Sequence, residues 1–278
     1  MALQTLINGQ PANEISFLDR GLQYGDGVFE TITVQDGTPL CWDEHINRLQ
    51  TGCQRLSIPF SNKRLLKEEI SSLIDSIEPG VIKIIITRGQ GGRGYALPDN
   101  SEPHRIISLY PFPKYPEENT KQGINARVCN YRYAKNPVLA GIKHLNRLEQ
   151  VVARSEWSDS TIAEGIVLDQ EDNVIEGTMS NVFCVIDNIL CTPDLSNCGV
   201  EGVIRNKIIE LSPNLNIDVE IKKIARQTLV DTDEVFFCNS VIGVWPAKMI
   251  DEKPFSVGEK TRHIQQFLQE NHFIASLC

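Results

Sequence analysis

Lys143 stands in the setting best suited to covalent chemistry. In GIKHLNRLEQVVAR it falls between an expected strand and the first turn of an expected helix, flanked by Ile142 and Leu145. Apolar surroundings disfavour an ammonium and leave a neutral amine able to form a Schiff base with a carbonyl. Periodicity alone admits a second reading, a lysine snorkelling at a helix start. The other chemical residue types give less. His45 and His144 are lone histidines, and neither an H-x-x-x-H spacing nor a paired carboxylate site points to a metal. The run GQGGRG lacks the G-x-x-x-x-G-K-[ST] spacing and does not lead into a helix, which argues against a nucleotide. Asp26 in YGDG reads as part of a structural turn.

The bulk properties bound what such a lysine could serve. The chain has 278 residues, 41% hydrophobic and 23% charged, enough for a substantial core in one large or two medium domains. Its formal net charge of −9 disfavours nucleic acid and anionic membranes and makes a small molecule the better partner. The eight cysteines (Cys41, Cys53, Cys129, Cys184, Cys191, Cys198, Cys238 and Cys278) form no C-x-x-C pair and read as buried thiols of a reducing cytosol. The start MALQTLINGQ has no signal-peptide pattern, and no apolar run approaches the roughly 20 residues of a spanning helix, so secretion and membrane insertion are not expected.

The elements that must position the lysine follow from periodicity. VFETITVQDGTPL alternates in period two around Asp36-Gly37, a hairpin signal. Ile46, Leu49, Cys53 and Leu56 fall at helical spacing, as do Leu65, Leu66, Ile70, Leu73, Ile74 and Ile77 after a cap at Ser61 or Asn62. VIKIIITRG and RIISLY predict strands on either side of the Gly-rich GQGGRGYALPDN. The proline-rich PFPKYPEE marks a linker. The second half predicts a strand near Ile124 to Tyr131, a helix through HLNRLEQVVARSEW, short strands, a helix just after Gly202, and a last helix over Thr261 to Leu268. The expected class is α+β in two domains with mixed or antiparallel sheets: a small one over residues 1–112, a linker over 113–120, and a larger one over 121–278.

The segments LINGQ, SFLDRGLQYGDGVFET, EHINRLQTGCQRL, TRGQGGRGY, NPVLAGIKHLNRLEQ, VIEGTMSNVF, GVEGVIRNKI and FFCNSVIGVWPA, in that order, resemble the fold-type IV pyridoxal-phosphate family. That family includes the D-amino acid and branched-chain aminotransferases. TRGQGGRGY with AGIKHLNRLEQ is close to the signature of its 4-amino-4-deoxychorismate lyases. The resemblance implies pyridoxal 5'-phosphate as cofactor, held by Lys143 as a Schiff base, with Lys143 later moving the proton. It implies that Glu176 pairs with the pyridine nitrogen and that Arg48 meets the phosphate, helped by the backbone amides of Val203 and Ile204 at the positive end of a helix and by Ser240. Asn146 belongs to the lysine motif without a defined role.

An aminodeoxychorismate has two carboxylates, so basic groups are needed on the substrate side. Arg93 and Tyr95 in the Gly-rich loop are the first candidates, with Arg88 and Arg147 behind them; the loop could equally be an ordinary surface loop. The implied activity is elimination of pyruvate to give 4-aminobenzoate, in folate synthesis, by a cytoplasmic homodimer. Two alternatives stand beside it: a D-amino acid or branched-chain aminotransferase on the same fold, and a non-catalytic binding partner of aminodeoxychorismate synthase.

Overall fold

A computed structural model describes residues 2–60, 62–74 and 79–276; Ser61, Ile77 and Cys278 lie outside the described residues. The chain divides into two units, Met1–Pro113 with Ile142–Asn146, and Lys114–Gly141 with Arg147–Cys278. The lysine segment is thus grouped with the first unit, although the chain reaches it only after entering the second.

The first unit runs β1 (Gln4–Ile7), β2 (Gln10–Pro11), α1 (Arg20–Tyr24), β3 (Gly27–Gln35), β4 (Thr38–Pro39), α2 (Trp42–Arg55), α3 (Lys63–Ile74), β5 (Gly80–Thr87) and β6 (His104–Pro111). Its sheet has the order β2-β1-β6-β5-β3-β4, and every neighbouring pair is antiparallel. The β3–β4 hairpin turns at Asp36 and Gly37, whose φ angles of 50° and 65° are the left-handed values its two-residue loop requires. Val28, Ile32 and Val34 share one side of β3 and pack with Ile82, Ile84 and Ile86 of β5 against Ile46, Leu49 and Cys53 of α2 and Leu66 and Ile70 of α3. The apolar spacing of both helices therefore meets the alternation of both strands, each buried side chain contributing about 1.5–3 kcal/mol. Asn62 supplies the cap of α3, accepting from Leu65 N at 2.9 Å.

The second unit carries α4 (Glu117–Lys121), β7 (Ile124–Tyr133), α5 (Leu148–Arg154), β8 (Ile162–Asp169), β9 (Val174–Gly177), β10 (Asn181–Ile186), β11 (Ile189–Pro193), α6 (Val203–Leu211), β12 (Val219–Lys222), α7 (Arg226–Val230), β13 (Glu234–Asn239), β14 (Gly243–Ile250), β15 (Lys253–Pro254) and α8 (Glu259–Glu270). Its sheet runs β12-β11-β10-β13-β14-β7-β8-β9, with β15 on β14. The β11–β12, β14–β7 and β7–β8 pairs are parallel and the others antiparallel, so the architecture is α+β with one antiparallel and one mixed sheet. Val182, Cys184, Val235, Phe237 and Trp245 are among its core.

Two local expectations differ from the structure. The helix expected over HLNRLEQVVARSEW forms only at Leu148–Arg154, because the residues before it pair with β3 instead: Phe29 N donates to the Lys143 carbonyl and Leu145 N to the Gly27 carbonyl, both at 2.9 Å. The proline-rich stretch expected as a linker runs into α4, and the Tyr115 ring packs edge-on to Trp245 at 4.9 Å. The described cysteines are free thiols. Burial pushes Cys53, Cys129, Cys184, Cys198 and Cys238 up to about 12, which makes them inert.

Candidate active site

Glu30 lies on the core side of β3 with Val28 and Ile32, where no water reaches it. A carboxylate there must be paired. Helix α2 supplies the partners one turn apart: Arg48 donates from Nε to Oε1 at 2.8 Å and from Nη2 to Oε2 at 2.6 Å, and His45 Nδ1 lies 2.6 Å from Oε2. Burial alone would raise the Glu30 carboxyl, but the charge and fork of Arg48, with His45, bring it down to about 2. His45 moves down from its ordinary value because burial outweighs the attraction of Glu30, and the charges of Arg48 and Lys143 add to that. The neutral imidazole donates through Nδ1, since an ionised carboxylate only accepts. Arg48 is thereby held rigidly by a residue that sequence reasoning left out.

Lys143 sits on the extended segment paired with β3, not at a helix start. Val28 and His144 form a bridge, and Asn146 Nδ2 donates to the Gly25 carbonyl at 3.0 Å, which gives Asn146 a structural role. The Lys143 side chain is half-buried, with Nζ 4.6 Å from the centre of the Phe29 ring. The paired main chain fixes where the side chain starts, and the Phe29 ring borders the amine on one side.

The Gly-rich loop is anchored at its root. Arg20 bridges Asp26 at 2.9 Å and the Gly94 carbonyl at 3.0 Å, and the Tyr24 and Tyr95 rings meet edge to face at 5.6 Å. Arg93 is exposed and Tyr95 is 86% exposed. Arg88 is a correction. It is buried, its guanidinium doubly bonded to Asp26 at 2.7 and 3.0 Å and donating to the carbonyls of Ser57 and Leu56 at 2.8 and 2.6 Å. Those bonds make it a structural clamp and remove it from the substrate-binding candidates. Asp26 is the turn residue its sequence suggests; burial raises its carboxyl, but its bonds to Arg88 and Arg20 leave it below the usual range.

In the second unit Glu176 lies on β9 opposite Val167 of β8, almost fully buried, and accepts from Val200 N at 2.8 Å. Val200 leads into α6, whose N-terminal flank Gly202 is extended. A side chain there has no room: a Cβ on Gly202 would stand 1.9 Å from Asn181 Oδ1, while Asn181 Nδ2 donates to the Val200 carbonyl at 2.9 Å. The first intrahelical bond comes from Asn206 N, so the amides of Val203 and Ile204 belong to the first turn, outside the helical ladder. Ser240 is half-buried in the turn after β13. Arg147 is partly exposed and precedes the first residue of α5. The first unit thus groups Arg48 and Lys143 with Glu30, His45 and Phe29; the second groups Glu176 with the start of α6. Among the described residues no His, Cys, Asp and Glu cluster is placed to hold a metal, and no helix is long and apolar enough to cross a membrane.

Residues 27–250 match the model of the class IV amino-transferase family. The chain belongs to that family. An aminodeoxychorismate lyase of Vibrio harveyi is 36% identical to this class IV chain over 93% of it and 97% of the relative. A branched-chain-amino-acid aminotransferase of Escherichia coli is 30% identical over 91% and 86%. The crystal structure of a 4-amino-4-deoxychorismate lyase from Pseudomonas aeruginosa superposes with a TM-score of 0.93 at 45% identity, covering 97% of this chain and all of the other. That agreement places the two-unit α+β architecture in the fold-type IV class.

Proposed function

We propose that this chain is a pyridoxal-phosphate-dependent lyase that converts 4-amino-4-deoxychorismate to 4-aminobenzoate and pyruvate. The observation that carries the reading is the ranking of relatives over nearly the whole chain, with lyases at 45% and 36% identity and a branched-chain aminotransferase at 30%. TRGQGGRGY and KHLNRLEQ, the segments closest to the lyase pattern, point the same way.

The donor set fits the coenzyme. Lys143 offers an amine for its carbonyl, Glu176 a buried carboxylate for its pyridine nitrogen, and Arg48 a rigidly held fork for its phosphate. The first-turn amides of Val203 and Ile204, and Ser240, complete the phosphate set; the absence of a side chain at Gly202 lets Asn181 pack directly against the turn that leads into α6. When bound, the coenzyme supplies an electron sink for the bond next to the substrate amine.

The chain's own residues do the rest. As a free amine, Lys143 Nζ takes the proton from the amine-bearing ring carbon. The electrons of that C–H bond end in the aromatic ring as the neighbouring C–O bond breaks with its electrons on oxygen, and the departing enolate takes a proton at its methylene carbon to become pyruvate. Lys143 serves as base and then acid, with Phe29 limiting where Nζ can stand. Arg93, Tyr95 and Arg147 are the groups for the two substrate carboxylates. A scaffold protein would have no chemical need for Lys143, Glu176 and Arg48 together.

The enzyme works as a homodimer in the cytoplasm. Its exposed apolar side chains support assembly: Leu148 at 76%, Val151 at 60% and Val152 at 46% on α5, and Phe17 at 73% and Leu22 at 65% in the first unit. The free thiols suit a reducing compartment.

The deciding assay gives coenzyme-loaded protein aminodeoxychorismate without any keto acid and follows both products. Equal, repeated release of 4-aminobenzoate and pyruvate is expected. Release of neither, with the coenzyme converted to its amine form by branched-chain or D-amino acids, would make the enzyme an aminotransferase.

A further inference from the structure

Glu164 of β8 is completely buried, and no step above uses it. Its carboxylate faces the turn that follows Glu176. Oε1 accepts from Gly165 N at 2.9 Å, Thr178 N at 2.9 Å and the Thr178 hydroxyl at 2.6 Å; Oε2 accepts from the Ser180 hydroxyl at 2.6 Å and, at 3.4 Å, from Met179 N. Three of these donors are main-chain N–H groups, which can only donate, so the pocket is built for an acceptor. The turn closes tightly around it. Gly177 N donates to the Ser180 carbonyl at 2.7 Å, and a Cβ on Gly177 would lie 2.4 Å from Ser180 Oγ and 2.8 Å from Glu164 Cδ.

The far side of the same turn is also held. Asn239 Nδ2 donates to the Met179 carbonyl at 2.9 Å, while Asn239 Oδ1 accepts from Val241 N and Ile242 N, each at 2.8 Å. One side chain thus fixes both the turn after Glu176 and the turn containing Ser240. A core that needed only to be filled would have no use for a carboxylate here, because burying one is unfavourable unless donors surround it. Burial does push the Glu164 carboxyl up, against the pull of the Ser180 and Thr178 hydroxyls and the neighbouring amides.

We propose that Glu164 and Asn239 are positioning residues that clamp the 177–180 turn from opposite sides and so fix the Glu176 carboxylate relative to Ser240, setting how firmly the two ends of the coenzyme are held. The proposal rests on the reading that Glu176 meets the pyridine nitrogen. A clamp of this kind acts through geometry: slackening it leaves Glu176 present but misplaced, so the loss appears in coenzyme affinity and in the protonation of the ring.

Thr178→Val tests this, since it removes one donor to Glu164 at nearly constant shape, with Thr178→Ser as the variant that restores the hydroxyl. Asn239→Ala releases the other side. Glu176→Gln is the reference. For each variant the dissociation constant of pyridoxal phosphate and the pH dependence of the bound coenzyme's absorption are measured, with the melting of the apo form as a check on folding. Thr178→Val and Asn239→Ala should each weaken coenzyme binding about tenfold, one hydrogen bond to a charged group or its equivalent. Both should displace the absorption titration in the direction Glu176→Gln displaces it, and Thr178→Ser should restore both readings. If Glu176→Gln changes affinity and absorption but Thr178→Val and Asn239→Ala melt like wild type and change neither, the clamp is refuted and the role of Glu176 stands. If Glu176→Gln itself changes neither, its assignment to the pyridine nitrogen falls, and the clamp falls with it.

Discussion

Replacing Glu30 by Gln removes a charge that the fold has buried and paired, and the structure sets the size of the effect. The carboxyl falls from its ordinary 4.5 to about 2 in the folded chain. At about 1.4 kcal/mol for each pH unit, the folded environment therefore favours the ionised form by about 3 kcal/mol. Glu30→Gln should lose an amount of that order at pH 7, a fall in melting temperature of roughly 10 °C. The pH dependence is the sharper signature. A depressed carboxyl contributes in full above its unfolded value, so the gap between wild type and Glu30→Gln should be complete at pH 7, narrow below 4.5, and nearly close by about 2. His45 adds a separate acid sensitivity: the unfolded imidazole takes a proton below 6.5 that the buried one resists, so wild type begins to lose stability below that pH. Chemical denaturation of both proteins across the acid range checks this, with pyridoxal-phosphate binding as the functional readout, because Arg48 would lose the residue that orients it. A variant within about 1 kcal/mol of wild type at pH 7, or a gap unchanged from neutral pH to pH 3, would refute the reasoning.

Lys143→Ala should fold normally while product release falls by a factor of about 10² to 10⁴ or more, since it removes both the covalent anchor and the proton carrier; turnover at the wild-type rate would sink the mechanism. Arg88→Ala should destabilise by about 1.5–3 kcal/mol, seen as an early melt, because Asp26 keeps only Arg20 and the Leu56 and Ser57 carbonyls lose their donor; a stable variant with only a raised KM would return Arg88 to the substrate side. Gly202→Ala places a Cβ 1.9 Å from Asn181 Oδ1, so it should cost about 1–3 kcal/mol in stability and weaken coenzyme phosphate binding, and a titration with pyridoxal phosphate matching wild type would count against the α6 assignment.

Much of this was legible because local chemistry and long-range packing agreed. Asp36-Gly37 makes the turn its positive φ angles demand, Asn62 caps α3, and Gly202 precedes α6. What was not legible depended on partners distant in sequence. His144 to Arg147 carry a helical pattern, but pairing of this stretch with β3 satisfies backbone groups that a longer α5 would leave on that strand. Glu30 was read only as part of an alternating strand. The signal was present, since it shares parity with Val28, Ile32 and Val34, and a charge on a core face requires a counter-charge, here Arg48 and His45 on the next helix. Arg88 carried the same kind of signal, following Ile82, Ile84 and Ile86 at intervals of two and facing Asp26, whose carbonyl accepts from Arg88 N at 3.0 Å. Glu164, the one charged residue before Asp169 in β8, is a third case.

The late arrival of residues 142–146 at β3 bears on how the chain is made. A ribosome synthesises the first 113 residues, with Arg48, Glu30 and the rest of the antiparallel sheet, before it reaches the lysine. One margin of β3 is covered near Val34 by β4 but waits, near Val28, for a strand not yet translated. At about 5–20 residues per second that margin stays open for a few seconds. During this interval the nascent sheet presents unsatisfied amides to any other extended peptide, a neighbouring nascent copy included. Arrival of the lysine segment both seals that margin and delivers the amine, so a chain that has not finished shielding its sheet has no residue with which to anchor the coenzyme.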